Sequence, residues 1–280
     1  MYVVSKASFS ALPPITLGAL RLAIGVPPLW FLLHRERASG RLSKRLTYAV
    51  LGVFIAASLS TQFVGTDLAS ASSGAALTVT TPALVVGLGR IVLREHPPAL
   101  AWFGLALSLG GASVIVAEDV SAVPSRHFLG ELLLLVSGLS WALYSIYGAR
   151  QARESSALAV TTYASAFSLV FLLPFVPFEL NARPIGEPSP FLVGAVLYLG
   201  LGATALAWYL WTAGLEVGGT SRAAAYFLAQ PVVGGTLGWL LLSEQLTVQF
   251  VIGAAIIGAG MILVSVRPVQ SRAPPPVKEA

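Results

Sequence analysis

The stretch Ser221–Gly260 reads SRAAAYFLAQPVVGGTLGWLLLSEQLTVQFVIGAAIIGAG, two apolar runs separated by a short break at Ser243–Thr247. A helix needs roughly 20 apolar residues to cross a hydrocarbon core of about 30 Å, and both runs are close to that length. Similar runs fill the rest of the chain. Hydrophobic residues make up 56% of the sequence and charged residues 10%, whereas soluble domains carry about 25% charged residues. The sequence therefore predicts an all-α, polytopic membrane protein.

Nine complete spans are predicted from the positions of these runs. They are Ile15–Leu33, Leu46–Thr66, Ser70–Val92, Ala99–Ala117, Phe128–Gly148, Ala157–Phe178, Phe191–Ala213, Ser221–Leu242 and Val248–Val266. The segment Met1–Ser10 is apolar but too short to span. We interpret it as the end of a truncated first helix, which gives about ten helices; a re-entrant or interfacial segment is the alternative. Residues 267–280 contain Pro274-Pro275-Pro276 and are predicted to be a disordered cytoplasmic tail.

The positive charges are distributed unevenly between the two sides. If the loop His34–Arg45 is cytoplasmic, 13 of the 17 Lys and Arg residues lie on cytoplasmic segments, and only Arg126 and Arg183 lie on outer loops. Cytoplasmic loops of membrane proteins carry an excess of Lys and Arg. This bias predicts a cytoplasmic C-terminus. The location that we expect for the chain is the plasma (inner) membrane.

An internal repeat relates the two halves of the chain at an offset of 149 residues. The most informative matched pairs are Pro82/Pro231, Glu95/Glu244, Gly104/Gly253 and Gly111/Gly260. Counting the truncated first span, each half has five helices, so the second half would enter the membrane in the opposite sense. We therefore predict two inverted five-helix repeats, residues 1–117 and 128–266, an arrangement that many secondary transporters use.

These features resemble the EamA family of the drug/metabolite transporter superfamily. The resemblance rests on Arg222-Ala-Ala, Gln230-Pro231, the Leu-Ser-Glu244 helix end, and looser copies of the same pattern around Pro82 and Arg94-Glu95. It implies ten helices and the transport of metabolites, often amino acids or drug-like compounds. The chain departs from the family pattern at its N-terminus and at His96-Pro97-Pro98.

Aromatic and amide side chains within the spans are candidates for binding a substrate. Ser137, Trp141, Tyr144 and Gly148 lie on one helix face, and aromatic and hydroxyl groups suit a substrate with an apolar body. The predicted substrate-binding residues are Trp141, Tyr144, Tyr226, Gln230, Gln62 and Trp208. The alternatives are helix packing or an interfacial aromatic belt, and we slightly favour one of these two for Trp208 and Trp211, which share a helix face. The kinks expected at Pro82 and Pro231 either line the cavity or pack.

Lys6 and Arg21 are the charged candidates inside apolar segments, where each must face protein or water. The resemblance matches them to a family Lys at the end of helix one and a family Arg in helix two. Glu95 and Glu244 stand at helix ends, and interfacial charges that close a span are preferred to proton coupling. Asp67 and Glu216 are expected to be solvated loop residues.

The predicted function is secondary transport of small organic metabolites, with efflux expected, by alternating access. A nucleotide-sugar or other organic-anion carrier of the same fold is the alternative, and a membrane lipid-modifying enzyme is the alternative from another class. The chain has no Cys and only His34, His96 and His127, all in loops, so we predict no catalytic residue, metal or cofactor. The expected partners are a small-molecule substrate, the bilayer and a coupling proton or ion, but no nucleic acid.

Overall fold

The computed structural model describes residues 1–36, 44–78, 80–92, 98–117, 126–216, 229–244 and 246–265; for residues 229–234 and 264–265 it describes the backbone alone. The regular structure in these ranges is helical throughout. In chain order the helices are α1 (Tyr2–Ser8), α2 (Pro14–Arg35), α3 (Arg45–Leu68), α4 (Ala71–Thr78), α5 (Thr80–Val92), α6 (Ala99–Ala117), α7 (Arg126–Ala152), α8 (Ala157–Leu172), α9 (Val176–Ala182), α10 (Pro190–Leu197), α11 (207–216), α12 (Ala229–Leu242) and α13 (Val248–Ser265). A 3-10 turn, Leu173–Phe175, joins α8 to α9, and a π-helical segment, Tyr198–Leu206, joins α10 to α11.

Six stretches of the described residues are long and apolar enough to cross a membrane. They are Pro14–Arg35, Arg45–Leu68, Ala71–Val92, Arg126–Ala152, Ala157–Ala182 and Pro190–Glu216. The helices α6 and α13 contain shorter apolar stretches, Ala99–Ile115 and Val248–Leu263. The all-helical, multi-pass fold class is confirmed at this level. The count of ten spans in two inverted halves stays a prediction, and α1, with seven residues, is shorter than a span.

The starts of several helices follow from local sequence. Ser156 and Ser189 are N-caps whose side chains accept hydrogen bonds from the backbone N–H groups of Ala159 and Leu192. Such caps satisfy one of the four N–H groups that the first turn of a helix leaves without an intrahelical partner. Pro14 begins α2 and Pro190 begins α10, where the missing N–H of proline costs nothing.

Helices from the first and second halves of the chain alternate in the packed bundle. The helix α3 packs against α7 and α8, and α2 packs against α8 and the π-helical segment. On the other side α4 packs against α12, and α6 packs against α13. Two of the main buried clusters contain residues of both halves, so neither half encloses a core alone.

The interface between α6 and α13 is a close backbone contact made by glycines. A methyl group placed on Gly111 would lie 2.7 Å from the carbonyl oxygen of Gly253, and one placed on Gly260 would lie 2.5 Å from the carbonyl oxygen of Gly104. Small residues let membrane helices approach this closely. The structure shows packing at Gly104, Gly111, Gly253 and Gly260, whereas Gly110 and Gly258, which the sequence suggests equally as packing positions, have nothing within 4 Å of an added methyl group.

The π-helical segment was not predicted, because its residues are as apolar as those of an ordinary span. The hydroxyl of Thr204 donates to the carbonyl of Leu199, five residues earlier. A methyl group on Gly25 of α2 would lie 2.7 Å from the carbonyl oxygen of Gly200, so the segment and α2 are in backbone contact. Short π-helical turns within α-helices are frequent at functional sites, and this one lies on the wall of the cavity described below.

Candidate functional site

A cavity of about 690 Å³ lies between the two halves of the chain. Its wall includes Tyr2, Ser58, Gln62, Thr78 and Thr81 from the first half and Ser137, Trp141, Tyr198, Trp208, Trp211 and Leu237 from the second. Volumes of 300–1,000 Å³ with mostly apolar walls and few polar groups are typical of small-molecule sites. The cavity therefore has the size and the chemistry of such a site.

One side of the cavity is a cluster of three indole rings. The ring of Trp141 lies 5.3 Å from that of Trp208 and 6.5 Å from that of Trp211, measured between ring centres. The indole N–H of Trp211 donates to the hydroxyl of Ser145 at 3.0 Å, which holds the ring in place. This side can contact the apolar body of a substrate.

Another part of the wall carries polar groups that bond to one another. The amide of Gln62 donates to the hydroxyl of Tyr2, which also bonds to the hydroxyl of Thr78. Thr78 of α4 and Thr81 of α5 also lie on the wall, whereas Pro82 is buried and does not line the cavity. Groups already paired in this way hold a defined shape and can exchange partners with a ligand.

The structure brings together three of the six predicted binding residues, Trp141, Trp208 and Gln62. Trp208, for which helix packing or an interfacial belt was slightly favoured, is 8% exposed, packs in a buried cluster and also lies on the cavity wall. Tyr144 does not line the cavity: it is 1% exposed, and its hydroxyl bonds to that of Thr212 at 3.1 Å.

Three further predicted positions are described in part or not at all. Tyr226 lies outside the described residues. Gln230 and Pro231 lie on α12, for whose first six residues only the backbone is described. Other wall residues were not among the predicted binding residues. Trp211 was placed on the same helix face as Trp208 but interpreted as belt or packing, and it lies on the wall.

Arg21 lies directly behind the aromatic side of the cavity and is fully buried. Its Nε donates to the Thr204 hydroxyl at 2.7 Å, and Nη2 donates to the Ala203 carbonyl at 3.1 Å. The guanidinium carbon lies 5.1 Å from the centre of the Trp208 ring and 5.4 Å from that of Phe63. Cation–π contacts of this kind are strongest when they are desolvated.

At one end of the bundle, charged side chains form hydrogen bonds with the open ends of other helices. We call this region the capped end and define it by Lys6, Asp67, Glu179, Arg183 and Glu244. The ammonium of Lys6 donates to the carbonyls of Thr66, Asp67 and Ala69 at 2.8–2.9 Å. These carbonyls end α3, where the helix leaves them without intrahelical donors. A cation at a helix C-terminus is also favoured by the helix dipole.

Two carboxylates of the capped end accept from the first turns of helices far away in sequence. Glu179 accepts from the backbone N–H groups of Ile15 and Thr16 at 2.9 and 2.7 Å. Glu244 accepts from the N–H groups of Ala71 and Ser72 at 2.7 and 2.9 Å. The interpretation of Glu244 as a charge that closes a span is consistent with these bonds, because each carboxylate satisfies N–H groups that a first turn leaves open.

Backbone geometry at the end of α12 makes the Glu244 contact possible. Ser243 has a φ of 54°, in the left-handed region that non-glycine residues adopt rarely, and it turns the chain towards α4. A methyl group on Gly238 would lie 2.6 Å from both the Glu244 carboxylate and the Ser72 hydroxyl. Only glycine leaves room there for that hydrogen bond.

Asp67 and Arg183 complete the capped end, and Asp67 corrects one expectation. Asp67, expected to be solvated, accepts from Arg183 Nη1 at 2.8 Å, and Arg183 also donates to the carbonyl of Phe9. The described residues contain no group of three or more His, Cys, Asp or Glu side chains that could hold a metal ion.

Comparison with known proteins identifies the family. The model of the EamA-like transporter family matches residues 1–117 and 128–266. The chain belongs to the EamA-like transporter family. This confirms the resemblance seen in the sequence, and this EamA-like protein is therefore placed among membrane transporters.

Relatives of the EamA-like chain are similar over nearly their whole length. It is 25% identical over 265 residues to a Bacillus subtilis protein named "Uncharacterized transporter YoaV", covering 94% of this chain and 90% of that protein. It is 26% identical over 272 residues to a Salmonella typhimurium protein named "Probable amino-acid metabolite efflux pump", covering 94% and 89%. A crystal structure of a protein matches with a TM-score of 0.66 at 21% identity, covering 94% of this chain and 90% of that one, and this likeness shows the fold alone.

Proposed function

We propose that this EamA-like protein is a secondary transporter that exports small organic metabolites from the cytoplasm across the plasma membrane. The observation that carries the proposal is the cavity, because both halves of the chain build its wall. Transporters made of repeated halves place their substrate site at the interface of the repeats. Trp141, Trp208 and Gln62 are the residues that we assign to substrate contact.

Contacts between repeat-related residues support two inverted halves. The hydroxyl of Ser108 on α6 lies 3.4 Å from the carbonyl of Ile257 on α13, and these two positions differ by the repeat offset of 149. Equivalent residues touch each other where a two-fold axis passes between two copies. A pseudo-two-fold axis between α6 and α13 would relate the halves, and rocking about it would expose the cavity alternately to each side.

The capped end supports an assignment of which side of the cavity is closed in this conformation. The charge bias places it outside, since Arg183 lies on a predicted outer loop. Glu179 and Glu244 there tie the second half to α2 and α4 of the first. We infer that these bonds close the outer side in this conformation and that they must break before the cavity can open outwards.

The relative in Salmonella typhimurium, by its name, supports amino-acid metabolites as the substrates. The test is purified protein in proteoliposomes, with uptake of radiolabelled amino acids and of cationic drugs measured under imposed pH and Na⁺ gradients. Uptake above that of protein-free liposomes is the expected result. No uptake of any solute under any gradient would contradict the transport function.

Variants of the wall test the position of the site. Trp141→Ala and Trp208→Ala should each raise the KM for uptake severalfold while the amount of folded protein stays near that of the unmodified chain. The matched control is Trp102→Ala, because Trp102 on α6 is 43% exposed and lies outside the cavity wall. Unchanged KM in both wall variants would remove the aromatic cluster from the site.

A further inference from the structure

The guanidinium of Arg21 is buried beside the cavity without an anionic partner. Its recorded acceptors are the Thr204 hydroxyl, the Ala203 carbonyl and the Met1 sulfur, the last at 3.4 Å from Nη1. No carboxylate of the described residues lies within ion-pair distance of it. An uncompensated charge in a protein interior is unfavourable, because neutral groups replace only part of the water that it has lost.

Its neighbours connect Arg21 to the cavity. Met1, Ala203 and Trp208 all contact the guanidinium and all line the cavity wall. The rings of Trp208 and Phe63 and the short bond to Thr204 hold the group in place, so little freedom remains to be lost when a ligand binds.

The weakest of the recorded acceptors is also on the cavity side. A thioether sulfur is a poor hydrogen-bond acceptor, and the Met1 sulfur occupies Nη1. Met1 is an unbranched side chain on the cavity wall, and such side chains change rotamer easily. An anionic oxygen that displaced this sulfur would gain a charge-assisted hydrogen bond in its place.

We propose that Arg21 is the site for the carboxylate of the substrate, so that the transported metabolite carries one carboxylate and an apolar body. This rests on the proposed function, since it assigns the substrate class of the same cavity. The planar guanidinium fork matches a carboxylate, and the indole cluster faces the remainder of the molecule. A cationic drug would meet an unfavourable charge there.

The same geometry disfavours larger anions. The part of the wall that the structure describes contains no Lys, Arg or His side chain, so Arg21, behind the wall, is the one side-chain cation beside it, with the α-amino group of Met1 nearby. The diphosphate of a nucleotide sugar carries more charge than one guanidinium balances. The structure thus favours a monocarboxylate or an amino acid over the nucleotide-sugar alternative.

Paired ligands that differ only in the carboxylate test the assignment on the unmodified protein. The pairs are L-phenylalanine and L-phenylalaninamide, L-leucine and L-leucinamide, and 3-phenylpropionate and 3-phenylpropionamide. Binding to the protein in nanodiscs is measured by thermal stabilisation, which rises with ligand concentration relative to Kd. In at least one pair the acid should bind about tenfold or more tightly than the amide, as expected for a desolvated charge pair. Equal affinities in every pair, or no binding of any acid, would overturn the proposal.

Variants then assign the preference to Arg21. Arg21→Gln should abolish the preference for the acid, and Arg21→Lys should retain part of it because the charge remains without the fork. Arg183→Gln is the matched control, since Arg183 lies at the capped end, outside the cavity wall. An unchanged preference in a folded Arg21→Gln protein would overturn the assignment. If that variant does not fold, the paired ligands on the unmodified protein still decide.

The proposal and the transport function can fail separately. If binding is selective for the acid and depends on Arg21, but proteoliposomes show no uptake, the carboxylate site is supported and the transport function is rejected. Uptake of solutes without a carboxylate, at rates that Arg21→Gln does not change, would leave transport and reject the carboxylate site.

Discussion

Lys6 at the capped end and Arg21 beside the cavity are both cations from the first part of the chain, but they have different hydrogen-bond acceptors. Lys6 at the capped end donates to three backbone carbonyls that the end of α3 would otherwise leave unbonded. Arg21 beside the cavity has a hydroxyl, one carbonyl and a sulfur as acceptors. Lys6 and Arg21 are indistinguishable in the sequence as lone charges in apolar runs. Their acceptors in the structure distinguish them: Lys6 stabilises the fold, whereas Arg21 is available to a ligand.

Lys6→Met should have the largest effect and should act on folding. The substitution keeps the apolar length of the side chain but leaves the carbonyls at the end of α3 without their donor. Hydrogen bonds to charged groups contribute about 1.5–3 kcal/mol each, and water can replace part of them here, so we expect a loss of about 3 kcal/mol in the free energy of unfolding. Unfolding in SDS or by heat measures it. Normal stability with lost transport would instead make Lys6 a ligand-binding residue.

Glu244→Ala should destabilise less, by about 1–2 kcal/mol, because it removes a helix cap rather than a buried charge partner. Glu244→Gln should recover part of this, since the amide oxygen still accepts from the first turn of α4. Glu187→Ala is the control, because Glu187 is exposed. Thermal unfolding of the three variants in one detergent checks the order. If Glu244→Ala and Glu187→Ala were equally stable, the cap would have no energetic role.

Tyr144→Phe should cost about 1 kcal/mol of stability, the typical net contribution of one hydrogen bond. It should leave substrate affinity unchanged, because the hydroxyl bonds to Thr212 behind the wall. The comparison is with Trp141→Ala, which should change affinity and not folding. A changed KM in Tyr144→Phe at unchanged stability would bring this residue back into the site.

The smallest effect is expected at the exposed pair Lys44–Glu154, away from both regions. The hydrogen bond and the charge of Lys44 lower the pKa of Glu154 below its ordinary value. The pair therefore contributes its stability above the ordinary pKa of a Glu, and this contribution disappears as the pH falls through the lowered pKa. The difference in melting temperature between the unmodified chain and Glu154→Gln, measured from neutral to acid pH, should be small and should vanish at the acid end. A difference that grows on acidification would contradict the sign.

The comparison also separates what the sequence could predict from what it could not. Run lengths located the described helices within a few residues, because an apolar run is a local signal. The repeat marked the glycines at the contact between α6 and α13 but did not predict that these two helices touch. The orientation of a side chain about its helix depends on neighbours far away in the chain. For this reason the sequence could not distinguish Trp141 and Trp208, which lie on the wall, from Tyr144, which lies behind it. The π-helical segment left no local signal either.

The caps of the capped end have a consequence for biosynthesis. Glu179 follows the helix start that it satisfies by 163 residues, and Glu244 follows its partner Ser72 by 172. At about 5–20 residues per second, roughly 8–35 s of translation separate each helix start from its carboxylate. During that interval water or lipid headgroups must bond the open N–H groups of α2 and α4. During this time the first half lies in the membrane without the carboxylates that cap α2 and α4. If synthesis stopped after the first half, the fragment would keep these open helix starts, which the cell's quality control can recognise.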